Sequence, residues 1–430
     1  MKKLGIIKET KNKWERRVAL NPAAVAELVQ KGFSVVVEPS DIRIYSDEAY
    51  AKAGAQLSAD LTGCDFIIGV KEIPIPRIVA GVPHLFFSHT IKGQDYNMPL
   101  LQHFLDTQTT LMDYERIVDN QGRRLVFFGT FAGNAGMVDT LWGLGQRIKA
   151  LHNLDTPFLK MKHAYQYDGL QDALDKIKLI GDEISETGLP AEICPLNIFI
   201  MGYGHVAKGC QNVLDMLPVE YITPDQLPAV EQYNDPHKIY VVVFKEEHMV
   251  ARKDGGAFGL QDYFAHHDAY ESIVHRYLPY CSVYMNAIYW EPDCPVFLPN
   301  SELAKLQDGK LIIIGDITCD IQGSVECTVK STKPDNPIFI FDAKTGTHVD
   351  GLTGNGVANC AVDNLPCEFS REASDCFSAA LMPFMELTLR NDYGLPIEES
   401  TLPDEMKKAC IAHQGALQPR YQYLAEFLKS

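Results

Sequence analysis

The chain has 430 residues, and those able to do chemistry fall into two groups. In the first 130 residues, charged side chains repeatedly follow short apolar runs. Glu15, Arg16 and Arg17 come after the run 4–7, and Lys71-Glu72 closes the run 66–70. His89 and Lys92 come after 85–88, and Glu115 after 109–113, with Arg123-Arg124 close behind. Arginine offers a planar fork to a carboxylate. Lysine and histidine carry protons once burial or a neighbour tunes them. Taken singly, Arg17 or Lys71 reads as a surface charge, His89 as a structural histidine, and Glu115 as a solvated carboxylate. Their placement at successive strand ends points instead to a binding edge for an amino acid or a dicarboxylate. The second group is Gly202-Tyr203-Gly204-His205-Val206-Ala207, set between an apolar run, 196–201, and a helical pattern, 206–217. In that context Gly-x-Gly-x-x-Ala lets the backbone approach a pyrophosphate at a helix N-terminus. A strand–helix turn without a ligand is the plain alternative. Asp316 or Asp320, after the run 311–314, would face a cleft beside a nicotinamide, and a turn or capping role fits either one equally.

These groups need a scaffold that delivers strand ends to one edge. Apolar runs at 4–7, 34–38, 66–70, 85–88 and 109–113 alternate with helical patterns at 22–30, 46–53 and 98–105. That alternation predicts a parallel sheet covered by helices. A Gly-rich helical stretch, 129–145, leads out of this first set. A polar amphipathic stretch, 170–184, leads into a second set with strands at 196–201, 219–223, 239–244, 282–285 and 311–314. Gly and Pro crowd 333–356, and 374–389 reads as a helix returning to the first domain. The expected fold is α/β, with two doubly wound Rossmann-like domains and an intervening cleft. Residues 1–131 and 360–430 would form the substrate domain and 132–359 the dinucleotide-binding domain.

Composition removes several classes. A net charge of −17 argues against a protein that holds nucleic-acid backbone. No run approaches the roughly 20 apolar residues of a membrane span. The N-terminal apolar stretch is broken at Lys8 and Glu9, so it does not read as a signal peptide, and a cytoplasmic enzyme is expected. The 11 cysteines include no Cys-x-x-Cys pair and read as buried thiols of a reducing compartment. His266-His267 reads as part of a solvated face rather than a metal site, and no metal is expected. An acid or an arginine should end the strand after the Gly-x-Gly turn, to meet the adenosine ribose. The run 219–223, followed by Pro224-Asp225, ends cleanly on neither.

A family resemblance rests on Trp14-Glu15-Arg16-Arg17, Gly69-Val70-Lys71, Phe86-Phe87-Ser88-His89-Thr90-Ile91-Lys92 and Asp113-Tyr114-Glu115. Gly122-Arg123-Arg124, Ala132-Gly133-Asn134-Ala135-Gly136-Met137, Tyr289-Trp290-Glu291 and Val362-Asp363-Asn364-Leu365-Pro366 extend it over the whole chain. Jointly these motifs resemble the alanine dehydrogenase and lysine-forming saccharopine dehydrogenase superfamily. They are closer to the lysine–ketoglutarate reductase half of the bifunctional aminoadipic semialdehyde synthases. The resemblance implies reductive condensation of lysine with 2-oxoglutarate to saccharopine. It implies Lys71 and His89 as the acid–base pair and Arg17 and Arg124 as carboxylate-binding arginines. Glu72 and Glu115 would moderate charge, Lys92 would add a basic group, and Asp320 would lie beside the nicotinamide. Gly202, Tyr203, Gly204, His205 and Val206 would bind the cofactor. The animal reductases carry a basic residue after the strand-end lysine, whereas this chain has Glu72, as the fungal enzymes do. Overall similarity tilts the cofactor to NADP(H), with NAD(H) as the alternative. The partners expected are small molecules, with no nucleic acid and no membrane; the sequence carries no signal for oligomeric state. The other readings are an alanine dehydrogenase-like deaminating enzyme and a non-catalytic dinucleotide sensor. The sensor reading should have lost Lys71 and His89, and both are present.

Overall fold

The computed structural model describes residues 2–233, 235–307 and 309–429. The chain divides into two compact units, 1–128 with 370–430, and 129–369. The first division falls three residues before the expected 131/132, where the helix Gly129–His152 begins. The second falls ten residues after the expected 359/360. The segment through Phe369 packs into the core of the second unit, and the returning helix starts only at Ser370.

The first unit is built on an eight-stranded sheet. Its parallel part comprises β1 (Lys3–Ile6), β2 (Ser34–Val37), β3 (Gln56–Leu57), β4 (Phe66–Ile68), β5 (His84–Phe86) and β6 (Leu111–Asp113). Their spatial order is β6-β5-β4-β1-β2-β3, so the chain reverses direction across the sheet between β1 and β4. In open α/β sheets, ligands bind at such a switch point, outside the carboxyl ends of the strands. Near-continuous burial of β1, β4, β5 and β6 matches strands covered on both faces. The helix Pro22–Gln30 starts at Asn21, whose side chain accepts from Ala24 N–H at 2.9 Å, with proline at its first position. The C-terminal helix Ser370–Arg390 completes this unit. Ser374 accepts from Val18 N–H, Ser378 accepts from Asn21 N–H, and Asp375 accepts from the Asn21 side chain. An edge that the parallel reading did not anticipate is antiparallel: Cys410–His413 pairs with β6 and Ala416–Leu417 extends it.

The second unit has its own eight-stranded sheet. Its strands are β7 (Leu196–Met201), β8 (Val219–Tyr221), β9 (Ile239–Phe244), β10 (Val283–Asn286), β11 (Ile313–Asp316), β12 (Ile338–Asp342), β13 (Thr347–Asp350) and β14 (Val357–Cys360). The order is β8-β9-β7-β10-β11-β14-β12-β13, with β12 and β13 antiparallel. Thus the Gly/Pro-crowded stretch 333–356 contains a hairpin, read from sequence only as irregular. Alternate residues of the central strands feed two cores. Ile198, Ile200, Val241 and Met285 face one way, and Phe199, Met201, Val242 and Tyr284 the other. The helix Gly129–His152 is seven residues longer than its Gly-rich pattern suggested. It crosses the helix His205–Leu214 at Gly133 and Gly209. A Cβ on Gly133 would lie 1.9 Å from Val206 O, and one on Gly209 would lie 2.1 Å from Thr130 O. Only glycine permits that approach of two backbones. Among the described residues, no helix is long and apolar enough to cross a membrane.

Candidate functional site

The switch point of the first unit gathers most of the charged residues singled out in the sequence. Lys71 and Glu72 follow β4, whose neighbour in the sheet is β1. Glu9, just beyond β1, accepts from the backbone N–H groups of Val70 (2.7 Å) and Lys71 (2.9 Å). Burial and the charge of Glu15 push the Glu9 carboxyl up to about 7, against those two hydrogen bonds. Lys71 is half-buried. Burial and the positive charges of Arg17 and Lys11 lower its pKa, and Glu15 and Glu72 oppose them.

His89 follows β5 and adopts a left-handed backbone, φ +53°, which turns the chain into the short helix Thr90–Lys92. Its ring stacks on Phe87, with centroids 6.2 Å apart and planes within 17°. Its Nδ1 bonds Glu72 at 2.5 Å, which leaves Nε2 as the nitrogen for a substrate. Burial pushes Glu72 up, but the hydrogen bond and charge of His89, with Lys11 at 3.6 Å, prevail and hold it at about 2. Lys71 and His89 are therefore linked through Glu72, which follows one in the chain and bonds the other.

Arg17 is buried and lies over the Phe128 ring, 4.3 Å from its centroid. Its Nε and Nη2 donate to the buried carboxylate of Glu15 at 2.7 and 2.6 Å. That edge of the guanidinium is thus engaged within the protein, which sequence reading did not foresee. Phe128 stacks on Phe377 with centroids 4.4 Å apart, and Phe87 and Tyr114 complete the aromatic cluster. At the end of β6, Asp113 accepts from Ser88 N–H and Glu115 N–H, and burial with the Glu115 charge raises it to about 6. Arg124 Nη2 pairs with Glu115 at 2.9 Å. Lys92 is exposed and forms no ion pair among the described residues.

In the second unit, Gly202 follows β7 with φ +96°, and its N–H donates to Phe244 O at 3.0 Å. Gly204 caps the helix His205–Leu214, and a Cβ added there would meet open space. That open cradle at a helix N-terminus fits a dinucleotide pyrophosphate. Tyr203 is 43% exposed beside it. His205 opens the helix, and Val206 places its carbonyl against Gly133. Of the two aspartates, Asp316 is buried and occupied: it accepts from Asn286, Thr328 and Cys319 N–H. Asp320 is half-buried in the turn beyond, near Gly323 and the Trp290 ring. The strand after the Gly-x-Gly helix, β8, is not the neighbour of β7. The neighbour is β9, which pairs with both β7 and β8. Of the histidine pair, His266 is exposed and His267 is half-buried. His267 Nδ1 lies 3.3 Å from Asp293 and 3.4 Å from Cys294 Sγ, forming a cluster with metal-ligand residue types. Both contacts use the same ring nitrogen.

Comparison with known proteins agrees with this division. Residues 5–135 match the alanine dehydrogenase/PNT N-terminal domain. That match covers the switch point and every charged residue assigned to it above. The whole chain is also homologous to the α-aminoadipic semialdehyde synthases. The Arabidopsis thaliana protein is 38% identical over 99% of this chain and 42% of its own length. The mitochondrial Mus musculus protein is 33% identical over 99% of this chain and 48% of its own length. The chain thus spans about half the length of these relatives. A saccharopine dehydrogenase [NAD(+), L-lysine-forming] from Yarrowia lipolytica is 26% identical over 89% of this chain and 90% of its own length. Among solved structures, an L-alanine dehydrogenase superposes with a TM-score of 0.62 at 16% identity over 99% of both chains. A transhydrogenase from Sinorhizobium meliloti gives 0.57 at 16% identity, over 97% of this chain and all of that one. These two superpositions establish the two-domain alanine dehydrogenase-type fold.

Sequence reasoning missed several residues of the alanine dehydrogenase-type domain. Glu9 was noted only as a break in an apolar stretch. Glu15 was read as part of a charged run rather than as the buried partner of Arg17. Phe377, 249 residues beyond Phe128, meets it only in the fold. Position past the first strand offered one usable signal: Glu9 lies three residues beyond Ile6, at the edge where ligands gather.

Proposed function

We propose that the chain is an oxidoreductase that condenses L-lysine with 2-oxoglutarate and reduces the resulting imine to saccharopine. The observation that carries this reading is the Lys71–Glu72–His89 linkage beside buried Arg17 at the sheet's switch point. Forming the imine requires a neutral substrate amine and a protonated carbinolamine oxygen. Lys71, with its lowered pKa, serves as the base that takes the proton from the substrate ammonium. His89, oriented through Nδ1 by Glu72, delivers a proton from Nε2 as water leaves. Arg17 and Arg124 meet carboxylates, and a substrate carboxylate at Arg124 competes with Glu115. Lys92 supplies further positive charge at the same edge.

The Gly202–Val206 turn holds a nicotinamide dinucleotide, which supplies the hydride when bound. Asp320 lies on its nicotinamide side. The relatives named as lysine-forming saccharopine dehydrogenases support the substrate pair, and the second carboxylate-binding arginine favours a substrate larger than pyruvate. The test is oxidation of NADH and NADPH with lysine plus 2-oxoglutarate, alongside ammonium plus pyruvate. Lysine-dependent oxidation supports the reading. Oxidation only with ammonium and pyruvate would replace it with an alanine dehydrogenase-type reaction.

A further inference from the structure

The turn that follows β10 brings Asp293 and Cys294 to the end of the helix Leu260–Ala265, where His267 opens the next short helix. Pro292 and Pro295 flank the pair and fix the backbone on either side. Cys294 N–H donates to Glu291 O at 2.9 Å, and Trp290 Nε1 donates to Pro295 O at 3.1 Å. The imidazole of His267 is held as well: the buried Tyr263 ring meets it edge-on, with centroids 4.8 Å apart. His266 turns away to Asp262, 3.2 Å from its Nδ1. His267 Nδ1 lies 3.3 Å from Asp293 Oδ2 and 3.4 Å from Cys294 Sγ, and the three donor atoms all fall within 4.8 Å of one another. Zinc with bonds of about 2.0–2.3 Å keeps neighbouring ligand atoms about 3.3–3.6 Å apart in a tetrahedron, so both contacts have the length of a tetrahedral edge. Hydrogen bonding explains the group less well. Nδ1 carries one proton or one lone pair, and both neighbours address that same atom. A proton there points along one direction only, and a lone pair there would face the carboxylate. A cation between the three atoms satisfies every one of them.

We infer that His267, Asp293 and Cys294 bind a zinc-type divalent cation, with water as the fourth ligand, and that the cation staples the turn 289–295 to the end of the helix Leu260–Ala265. An imidazole, a thiolate and a carboxylate together suit zinc, whereas magnesium and calcium take oxygen ligands. The Cys294 thiol gives its proton to water as the sulfur–metal bond forms. Asp293 is exposed, which gives the cation a route from solvent and leaves room for the water. The staple also steadies Trp290, whose ring lies 3.3 Å from the Cβ position of Gly323, in the turn that holds Asp320. Neither the substrate residues of the first unit nor the Gly-x-Gly turn supplies a ligand, so the inference is independent of the proposed reaction.

The experiment takes the full-length protein, stripped of metal by a chelator and kept reduced, and titrates it with cobalt(II) and then zinc(II). Cobalt should bind in one equivalent and give the near-ultraviolet charge-transfer absorption of a thiolate ligand, and zinc should displace it and remove the absorption. Cys294→Ser should abolish that absorption and weaken zinc about a hundredfold or more, because loss of even an outer partner of a metal ligand costs about tenfold to a hundredfold. His267→Gln should weaken zinc by a similar factor. Cys376→Ser, at the exposed cysteine, should change neither. In the wild type, zinc should shield Cys294 from alkylation and leave Cys376 open to it, read by peptide mass spectrometry; this comparison stands even where a variant misfolds. Absence of the thiolate absorption, an unchanged zinc affinity in Cys294→Ser, or equal alkylation of Cys294 with and without zinc would each overturn the inference.

Discussion

Replacing Gly133 by alanine should destabilise the protein, although alanine is the better helix former. In an unconstrained helix interior the change would gain about 1 kcal/mol. Here the new Cβ would stand 1.9 Å from Val206 O, whereas an ordinary contact begins at 3.4 Å. The two helices would have to part by about 1.5 Å, enough to forfeit more than half of each van der Waals contact along the crossing. The Cys210 Sγ contact to Gly133 O and the Asn212–Asn134 hydrogen bond, 3.1 Å, would open with it. Backbone cannot rotate away as a side-chain tip can, so the overpacking cost sits at about 3 kcal/mol or above. After the helix-propensity gain, a net loss of about 2 kcal/mol remains. For a unit of this size that lowers Tm by about 4–8 °C. Differential scanning calorimetry measures it, with Gly63→Ala as the control, since a Cβ there meets only Lys3 Nζ at 3.7 Å. NADH binding should weaken as well, because the displaced helix carries the Gly-x-Gly turn. A Tm for Gly133→Ala at or above that of the wild type would refute the reasoning.

Lys71→Met and His89→Gln should each lower kcat about 10²- to 10⁴-fold while leaving NADH affinity unchanged, measured by steady-state kinetics and titration. Unchanged rates would remove those residues from proton transfer. Glu72→Gln takes away a negative charge that raises the Lys71 pKa, so the acid limb of the kcat/KM–pH profile should move to lower pH. A limb that stayed or moved upward would contradict the assignment of Lys71 as base. In the second unit, Asp139 and Glu368 are both buried; burial pushes Asp139 up to about 7, and burial together with the neighbouring Asp139 raises Glu368 well above its usual range. Both folded-state values are raised, so this contribution to stability is complete below about pH 4 and is lost as pH rises through 7. Glu368→Gln keeps the side chain's size and removes one of the two acids. Stability at pH 9 relative to pH 5 should therefore improve by on the order of 2 kcal/mol, read from chemical denaturation at the two pH values. An unaltered pH dependence would show that the pair does not titrate on unfolding.

Much of the site was legible because a parallel sheet places its strand ends at one edge. Once 4–7, 66–70, 85–88 and 109–113 are read as consecutive buried strands, Arg17, Lys71, His89 and Glu115 must gather there. The Gly-x-Gly turn was legible for a similar reason: Gly202 needs φ +96°, and the helix that follows starts at His205. Residues far apart in the chain were harder to place. Glu15 looks like one more surface charge until Arg17 is seen buried against it. Either Asp316 or Asp320 fitted the spacing, and burial of Asp316 among Asn286, Thr328 and Cys319 separated them.

What the sequence determined by itself is local: periodicity set the strands and helices, and glycine set the turns that other residues cannot adopt. Tertiary structure alone decided which strand lies beside which. Insertion of β9 between β7 and β8 puts β9, not the strand that follows the Gly-x-Gly helix in the chain, beside β7. No local pattern encodes that order, because β8 and β9 are both short runs able to pair with β7. The choice between them follows from burial: β9 is almost wholly buried over six residues, whereas β8 is largely exposed over three. The central place in the sheet therefore goes to the strand that removes more apolar surface from water.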